Sequence, residues 1–310
     1  MKKSFHKIVI GNLLGGYELA LPVHKFISGQ EGPTLGLIAT IHGDESIPIE
    51  VLRRFAQKID ALDFKGQIVI LPVANPPALG AFTRTNPIDS NDLNRVFPGS
   101  EKGWLSEQIA DAIAKEFLPE VDYLIDFHSG GAAPTVEYTI YFDKGIDMAR
   151  AFGQKVLYKG STISPKSNAY YVENILGKPV ILVEAGGGAN NDYYIRQCLK
   201  GIENVMILLG MMDGQVDYAQ KQTVIKDMCV LRPRNGGIFV PSAGIETINT
   251  VISKEDVLGE VYSPYTFALL ETFHGIYEKN MMLLLRPEIC EIEAGDFTYI
   301  LGNMDTAEEI

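Results

Sequence analysis

An apolar run over residues 35–41 stops at a short polar loop, His42-Gly43-Asp44-Glu45. His42 and Glu45 form an H-x-x-E pair at the end of a predicted strand. An imidazole and a carboxylate at this spacing can both reach one metal ion. Zinc accepts such mixed nitrogen and oxygen ligands, and a catalytic zinc site takes three protein ligands and keeps a fourth position open. Alone the pair is a weak signal. H-x-x-E recurs by chance, and a histidine beside a strand end is more often a loop hydrogen bonder. The rest of the chain therefore has to supply a third ligand, a base and a substrate clamp.

His128 is the third-ligand candidate, closing the apolar run of Asp122-Tyr123-Leu124-Ile125-Asp126-Phe127-His128. Asp126 is placed to orient it, since a ligating imidazole usually gives its other N–H to a carboxylate or carbonyl. Glu184 follows the apolar Val180-Ile181-Leu182-Val183 and precedes Ala185-Gly186-Gly187-Gly188. A carboxylate beside a triglycine, where backbone can approach a substrate, suits a general base. An isolated glutamate there would more simply cap a helix or face solvent. A long Pro-, Asn- and Asp-rich stretch over 75–100 carries Arg84 and Asp92-Leu93-Asn94-Arg95. Arginine binds carboxylates bidentately and can stabilise an oxyanion. Arg84, Asn94 and Arg95 can thus clamp a carboxylate substrate and polarise its carbonyl, or form surface ion pairs with Asp89 and Asp92.

The elements that must position these groups follow from periodicity. Residues 1–30 predict short edge strands with glycine turns. Apolar strands are expected over 35–41, 67–73, 121–127, 137–142 and 180–183, and helices over 46–59, 104–117, 146–158 and 190–212. Ser46 is the expected cap of the first helix. Near-continuous apolar strands fit a sheet covered on both faces. Strands alternating with helices predict an α/β domain with a largely parallel sheet. Sites of such sheets gather beyond the carboxyl ends of strands, and His42, His128 and Glu184 each follow a predicted end. Residues 213–224 are polar and linker-like, and short strands with turns over 225–310 predict a smaller all-β domain. The division is therefore 1–212, linker 213–224, and 225–310.

The 310 residues, 46% hydrophobic and 21% charged, are those of an ordinary globular protein. A net charge of -12 argues against a nucleic-acid or anionic-membrane surface. Cys198, Cys229 and Cys290 are odd in number and widely spaced. They predict no disulfide framework, a reducing cytoplasmic setting and three buried thiols. Residues 1–6 hold lysines with no apolar run after them, so no secretory leader is expected. The apolar run 205–212 is too short for a membrane span, which takes about 20 residues.

Taken together, the chain resembles the succinylglutamate desuccinylase/aspartoacylase family, relatives of the zinc carboxypeptidases. The matching pieces are His42-Gly43-Asp44-Glu45, Asn75-Pro76, Arg84, Asp92-Leu93-Asn94-Arg95 with Phe97-Pro98-Gly99, Asp126-Phe127-His128 and Val183-Glu184-Ala185-Gly186-Gly187. They occur in the family's order over residues 32–210, with a weaker likeness from Arg232 to Gly259. The resemblance implies one zinc ion on His42, Glu45 and His128, and Glu184 as catalytic base. It implies Arg84 at the oxyanion and Asn94 and Arg95 at the substrate carboxylate. The fold would be zinc-carboxypeptidase-like, a mixed and largely parallel sheet, with the C-terminal β domain restricting the site to small substrates.

The expected reaction is hydrolysis of a small N-acyl amino acid to a carboxylate and a free amine, in a protein that can form a homo-oligomer. Where aspartoacylase-like members carry a substrate-binding arginine ahead of the base, this chain has Asn174, which argues against N-acetylaspartate. Tyr262 and Tyr265 are candidates for a site-lining tyrosine. Two other readings stay open: a zinc carboxypeptidase acting on peptides, and a non-catalytic binding or sensor relative. A biotinyl-type carrier module is disfavoured, because no lysine sits at a hairpin tip with a flanking methionine.

Overall fold

The computed structural model describes residues 1–160, 163–189 and 191–310. The chain opens with an antiparallel hairpin of β1 (Lys2–Asn12) and β2 (Glu18–Ile27), bulged between Val9 and Gly11. Of these two strands, β1 lies at an edge and β2 does not. Leu19, Leu21, Val23 and Phe26 of β2 are buried, and β2 pairs on its other side with an inner strand. The expected pair of short edge strands is thus one long hairpin whose apolar second strand is drawn into the sheet.

β3 (Thr34–Ala39) is buried at all six positions. It is followed by α1 (Ile47–Lys58), β4 (Gln67–Leu71), α2 (Pro76–Ala81) and α3 (Leu105–Ala112). Next come β5 (Tyr123–His128), β6 (Thr135–Tyr141), α4 (Ile146–Phe152), β7 (Val156–Lys159), the single turn α5 (Asn168–Tyr170), β8 (Val180–Gly186) and α6 (Asn191–Leu208). The inner strands β4, β3, β5 and β8 run parallel, and β6 joins β8 antiparallel. One core, with Ile38, Leu71, Ile109, Ile113 and Phe117, covers one face of the sheet. A second, with Val51, Phe55, Phe152, Ile195, Cys198 and Ile202, packs α1, α4 and α6 on the other. This is the expected α/β architecture.

Local chemistry adjusts the predicted boundaries. Ser46 occupies the N-cap of α1 but makes no side-chain cap bond; Pro48 in the first turn and Glu50 favour the start instead. The helix predicted over 146–158 stops at Phe152, where Gly153 adopts φ 93°. The remaining apolar residues Val156, Leu157 and Tyr158 become the buried strand β7, parallel to β6. Position 190, the predicted start of the last helix, lies outside the described residues.

The C-terminal region is antiparallel β. It comprises β9 (Thr223–Ile225), β10 (Met228–Leu231), β11 (Gly237–Pro241), β12 (Val251–Ser253), β13 (Val257–Tyr262), β14 (Leu269–His274), β15 (Lys279–Leu285), β16 (Cys290–Ile292), β17 (Tyr299–Asn303) and β18 (Glu308–Glu309). β14-β13-β11-β16 form a four-stranded sheet over a core of Phe239, Val261, Phe273 and Tyr299. β15, β17 and β10 instead continue the large sheet, joined through Leu284 opposite Val136 and Leu285 opposite Thr135. The polar stretch 213–224 ends inside β9, which pairs in parallel with β7. Of the cysteines, Cys198 is buried as expected, whereas Cys229 and Cys290 are half-buried on the short strands β10 and β16. No helix is long and apolar enough to cross a membrane among the described residues.

Candidate active site

β3 ends at Ala39 rather than residue 41, because Thr40 turns the chain with φ 60°. A threonine in the left-handed region is strained, and such strain is tolerated where the surroundings over-determine the turn. Here Thr40 Oγ1 donates to the Pro72 carbonyl (2.9 Å), Asn75 N–H donates to the Thr40 carbonyl (3.0 Å) and Asn75 Nδ2 to the Ile41 carbonyl (3.1 Å). Gly43 is obligatory at the next step, since an added Cβ would fall 2.0 Å from the Ala78 backbone of α2. The H-G-D-E loop is thus clamped by Asn75-Pro76, and His42 and Glu45 face inward.

His42, Glu45 and His128 are all buried, and one donor atom from each lies within 4.8 Å of the others. His42 Nδ1 is 2.7 Å from Glu45 Oε1 and His128 Nδ1 is 3.0 Å from Glu45 Oε2. Behind them, His42 Nε2 meets Asp92 Oδ1 at 3.1 Å and His128 Nε2 meets Asp126 Oδ1 at 3.3 Å. Each imidazole therefore turns one nitrogen to a carboxylate behind it and the other to a shared centre. With a metal ion bound at that centre, the carboxylates behind would hold the tautomer whose Nδ1 lone pair points inward. Burial disfavours charge on both imidazoles, but Glu45 with Asp92 on one side and Asp126 on the other outweigh it, so both are shifted towards the charged form. Burial pushes the Glu45 carboxyl up, and the two histidines draw it well below the usual carboxylate range. A buried carboxylate between two carboxylate-backed imidazoles is a donor set that fits a divalent N/O-ligated cation, zinc among them.

A cavity of about 600 Å³ opens in front of this set. Its lining includes His42, Glu45, His128, Glu184, Arg84, Asn94 and Arg95, so the structure brings every predicted site residue together. His128 is the last residue of β5. Glu184 does not follow a strand end: β8 runs on to Gly186, so Glu184 lies within it, opposite Tyr138 of β6 and beside His128 of β5. Burial and the nearby Glu45 carboxylate raise the Glu184 carboxyl to about 7, against the pull of His128, His42 and Arg84. Arg84 reaches to 3.2 Å from Asp92 and 3.7 Å from Glu45 at the rim of the ligand set. Asn94 Oδ1 accepts from the Asn168 backbone (2.9 Å), and Asn168 Nδ2 donates to Asp126 Oδ2 (2.9 Å). The D-L-N-R turn and the second imidazole are therefore tied through one asparagine.

Several lining groups were not singled out as site residues from the sequence. Asp92 orients His42; the D-L-N-R motif contained it, but only distance shows the role. Asn168 sits on α5 and has no motif of its own. Arg232 and Arg286 reach the cavity from the C-terminal region, with Asp296 and Phe297. The Arg232 guanidinium stacks 4.0 Å from the Phe297 ring centroid, and Arg286 Nε donates to the Phe297 carbonyl (2.6 Å). Asn174, at the position where the resemblance implies an arginine, donates to the Tyr170 carbonyl at the surface (3.2 Å), while Arg232 and Arg286 line the cavity from the C-terminal region. Neither tyrosine candidate lines the cavity. Tyr262 bonds Glu260 (2.5 Å) and Tyr265 is 91% exposed, while the lining tyrosine is Tyr138.

The model of the succinylglutamate desuccinylase/aspartoacylase catalytic domain matches residues 31–209. The chain belongs to this family, whose named members are amide-bond deacylases. It is 25% identical over 276 residues to the N-alpha-acetyl-L-2,4-diaminobutyric acid deacetylase of Halomonas elongata, covering 84% of this chain and 80% of that one. Among solved structures it is similar to an aspartoacylase family protein from Mesorhizobium loti, with TM-score 0.80, 27% identity, and 97% and 94% of the two chains covered. A succinylglutamate desuccinylase from a Silicibacter species superposes with TM-score 0.83 at 25% identity, over 97% and 94%. These likenesses extend through the C-terminal β region.

Proposed function

We propose that this chain is a zinc-dependent amidohydrolase that removes the acyl group from a small N-acyl amino acid. The observation that carries this reading is the buried His42–Glu45–His128 set, with a carboxylate behind each imidazole, lining one cavity together with Glu184, which sits beside His128 in the sheet. Zinc held there would supply Lewis acidity towards the attacking water and the scissile carbonyl. Glu184, poised near neutrality by burial, takes one proton from that water as its oxygen bonds to the carbonyl carbon. The same proton then passes to the amide nitrogen as the C–N bond breaks, and the water's second proton leaves the new carboxylic acid for the amine, giving an acyl carboxylate and an ammonium product. Arg84 stands beside the ligand set, placed to balance negative charge gathering on the carbonyl oxygen. Asn94 and Arg95 hold the substrate carboxylate, and residues 225–310 serve as a wall module that limits the length of the acyl amino acid. The Halomonas relative supports an N-acetylated diamino acid as the first substrate to try. Asp44 beside Glu45 also lines the cavity and supplies a carboxylate for a substrate ammonium group.

Metal analysis and turnover of wild type against His128→Ala test the proposal. Wild type is expected to hold about one zinc per chain and to release amine from N-acetyl-2,4-diaminobutyrate or another N-acyl amino acid, with both properties lost in the variant. A wild-type protein that takes up no metal from zinc-containing buffer at neutral pH would overturn it.

A further inference from the structure

The sheet has a second cavity, of about 540 Å³, on the face opposite the active site. Side chains alternate along β6. Val136, Tyr138 and Ile140 line the front cavity, while Glu137 points the other way and lines the back one with Phe152, Tyr193 and Lys155. Glu137 is 9% exposed, yet among the described residues its carboxylate has no hydrogen-bond or ion-pair partner. Its oxygens are not sealed in the interior but open onto the cavity, where a ligand can supply the partner the protein does not. Burial lifts it to about 7, with Lys155 pulling the other way. The Lys155 side chain stands exposed at the rim of the same cavity, likewise with no carboxylate in ion-pair contact among the described residues. An acid on the floor and a base at the rim therefore face one space without touching each other.

We propose that this back cavity is a binding site for a free amino acid, the ammonium on Glu137 and the carboxylate on Lys155, with Phe152 and Tyr193 against the side chain. A ligand carrying both charges joins two groups that make no contact with each other. A simple amine or a simple carboxylate satisfies only one, and each charge-assisted contact adds to the other. The cavity also communicates with the front. Gln154 lines it and donates from Nε2 to the backbone carbonyl of Glu184 at 3.0 Å, while its Oε1 accepts from Thr139. An occupant thus lies one side chain away from the strand segment that carries Glu184. This binding site stands independently of the reaction assigned to the front cavity.

Isothermal titration of the full chain with L-alanine, L-glutamine and L-2,4-diaminobutyrate, with propylamine and propionate as half-ligands, tests it. Arg95→Ala separates the front cavity from the back. At least one amino acid is expected to bind wild type and Arg95→Ala alike, and about tenfold or more weaker to Glu137→Gln and to Lys155→Met. Both half-ligands are expected to bind at least about tenfold weaker than the amino acid. Lys155 is a surface residue, so Lys155→Met carries the test should Glu137→Gln fail to fold. Binding of none of the three amino acids, binding untouched by Lys155→Met, binding abolished by Arg95→Ala, or propylamine matching the amino acid would each overturn the proposal.

Discussion

Glu184 and Glu137 stand on adjacent strands, one facing each side of the same sheet, and burial lifts both carboxyls to about 7. What surrounds them differs. Glu184 shares its cavity with two imidazoles, another carboxylate and an arginine, whereas Glu137 has only Lys155 to draw its carboxyl down. A raised carboxyl therefore does not of itself mark a base. It becomes one where a nucleophile's proton can be delivered and where neighbouring groups hold the reacting atoms; elsewhere the same desolvation makes a docking point for a cation. Removing each carboxyl in turn is the direct way to break this contrast.

The largest effect is expected at the front. Glu184→Gln keeps the shape but cannot take a proton, so kcat should fall about 10²- to 10⁴-fold while zinc content stays at the wild-type level. Steady-state kinetics beside elemental analysis checks this, and turnover near wild type would remove Glu184 as the base. The next effect lies at the back and concerns stability. Glu137 has an ordinary value of 4.5 when unfolded and about 7 when folded, so between these pH values the folded chain holds a proton that the unfolded chain has released. Its contribution is present below the lower value and is lost as pH rises through the upper one, with a ceiling of about 3 kcal/mol. Denaturant unfolding of Glu137→Gln across this window should show a flatter pH profile than wild type. Profiles that run parallel would mean that Glu137 is better solvated than its position suggests. The smallest effect is expected from Arg95→Ala, which should raise KM for a carboxylate-bearing substrate about tenfold with little change in kcat. An equal loss in kcat would move Arg95 from holding the substrate to stabilising the transition state.

The front site was legible in sequence because its parts are local and repeat one device: a buried strand delivering a polar residue at or near its end. His42, Glu45 and His128 each stand out against the apolar run beside them. The carboxylates behind the imidazoles were less visible. Asp126 shares a strand with its histidine, but Asp92 reaches His42 across 50 residues of chain, and Asn168 joins Asn94 to Asp126 from a single helical turn. Helical spacing also carried α4 too far, because an apolar run such as Val156-Leu157-Tyr158 fits a buried strand or a helix equally until Gly153 breaks the chain. Glu137 was hidden for the opposite reason. In Thr135-Val136-Glu137-Tyr138-Thr139 a polar residue at an alternate position suggests a solvated face, yet α4 and α6 cover that face. The cavity arginines Arg232 and Arg286 depend on how β10 and β15 join the sheet, which no local pattern encodes.

That join has a consequence for how the two segments can be inherited. The C-terminal region meets β6 through the pairs Leu284–Val136 and Leu285–Thr135, while β9 adds itself beside β7. Cutting the gene ahead of β9 would leave the outer edge of β7 and the first half of β6 with unpaired backbone groups, and open strand edges invite association with other chains. A truncated product should accumulate as aggregate rather than as a smaller enzyme with a wider mouth. The wall of the cavity and the sheet that bears the site are therefore expected to be gained or lost together, as one unit of selection.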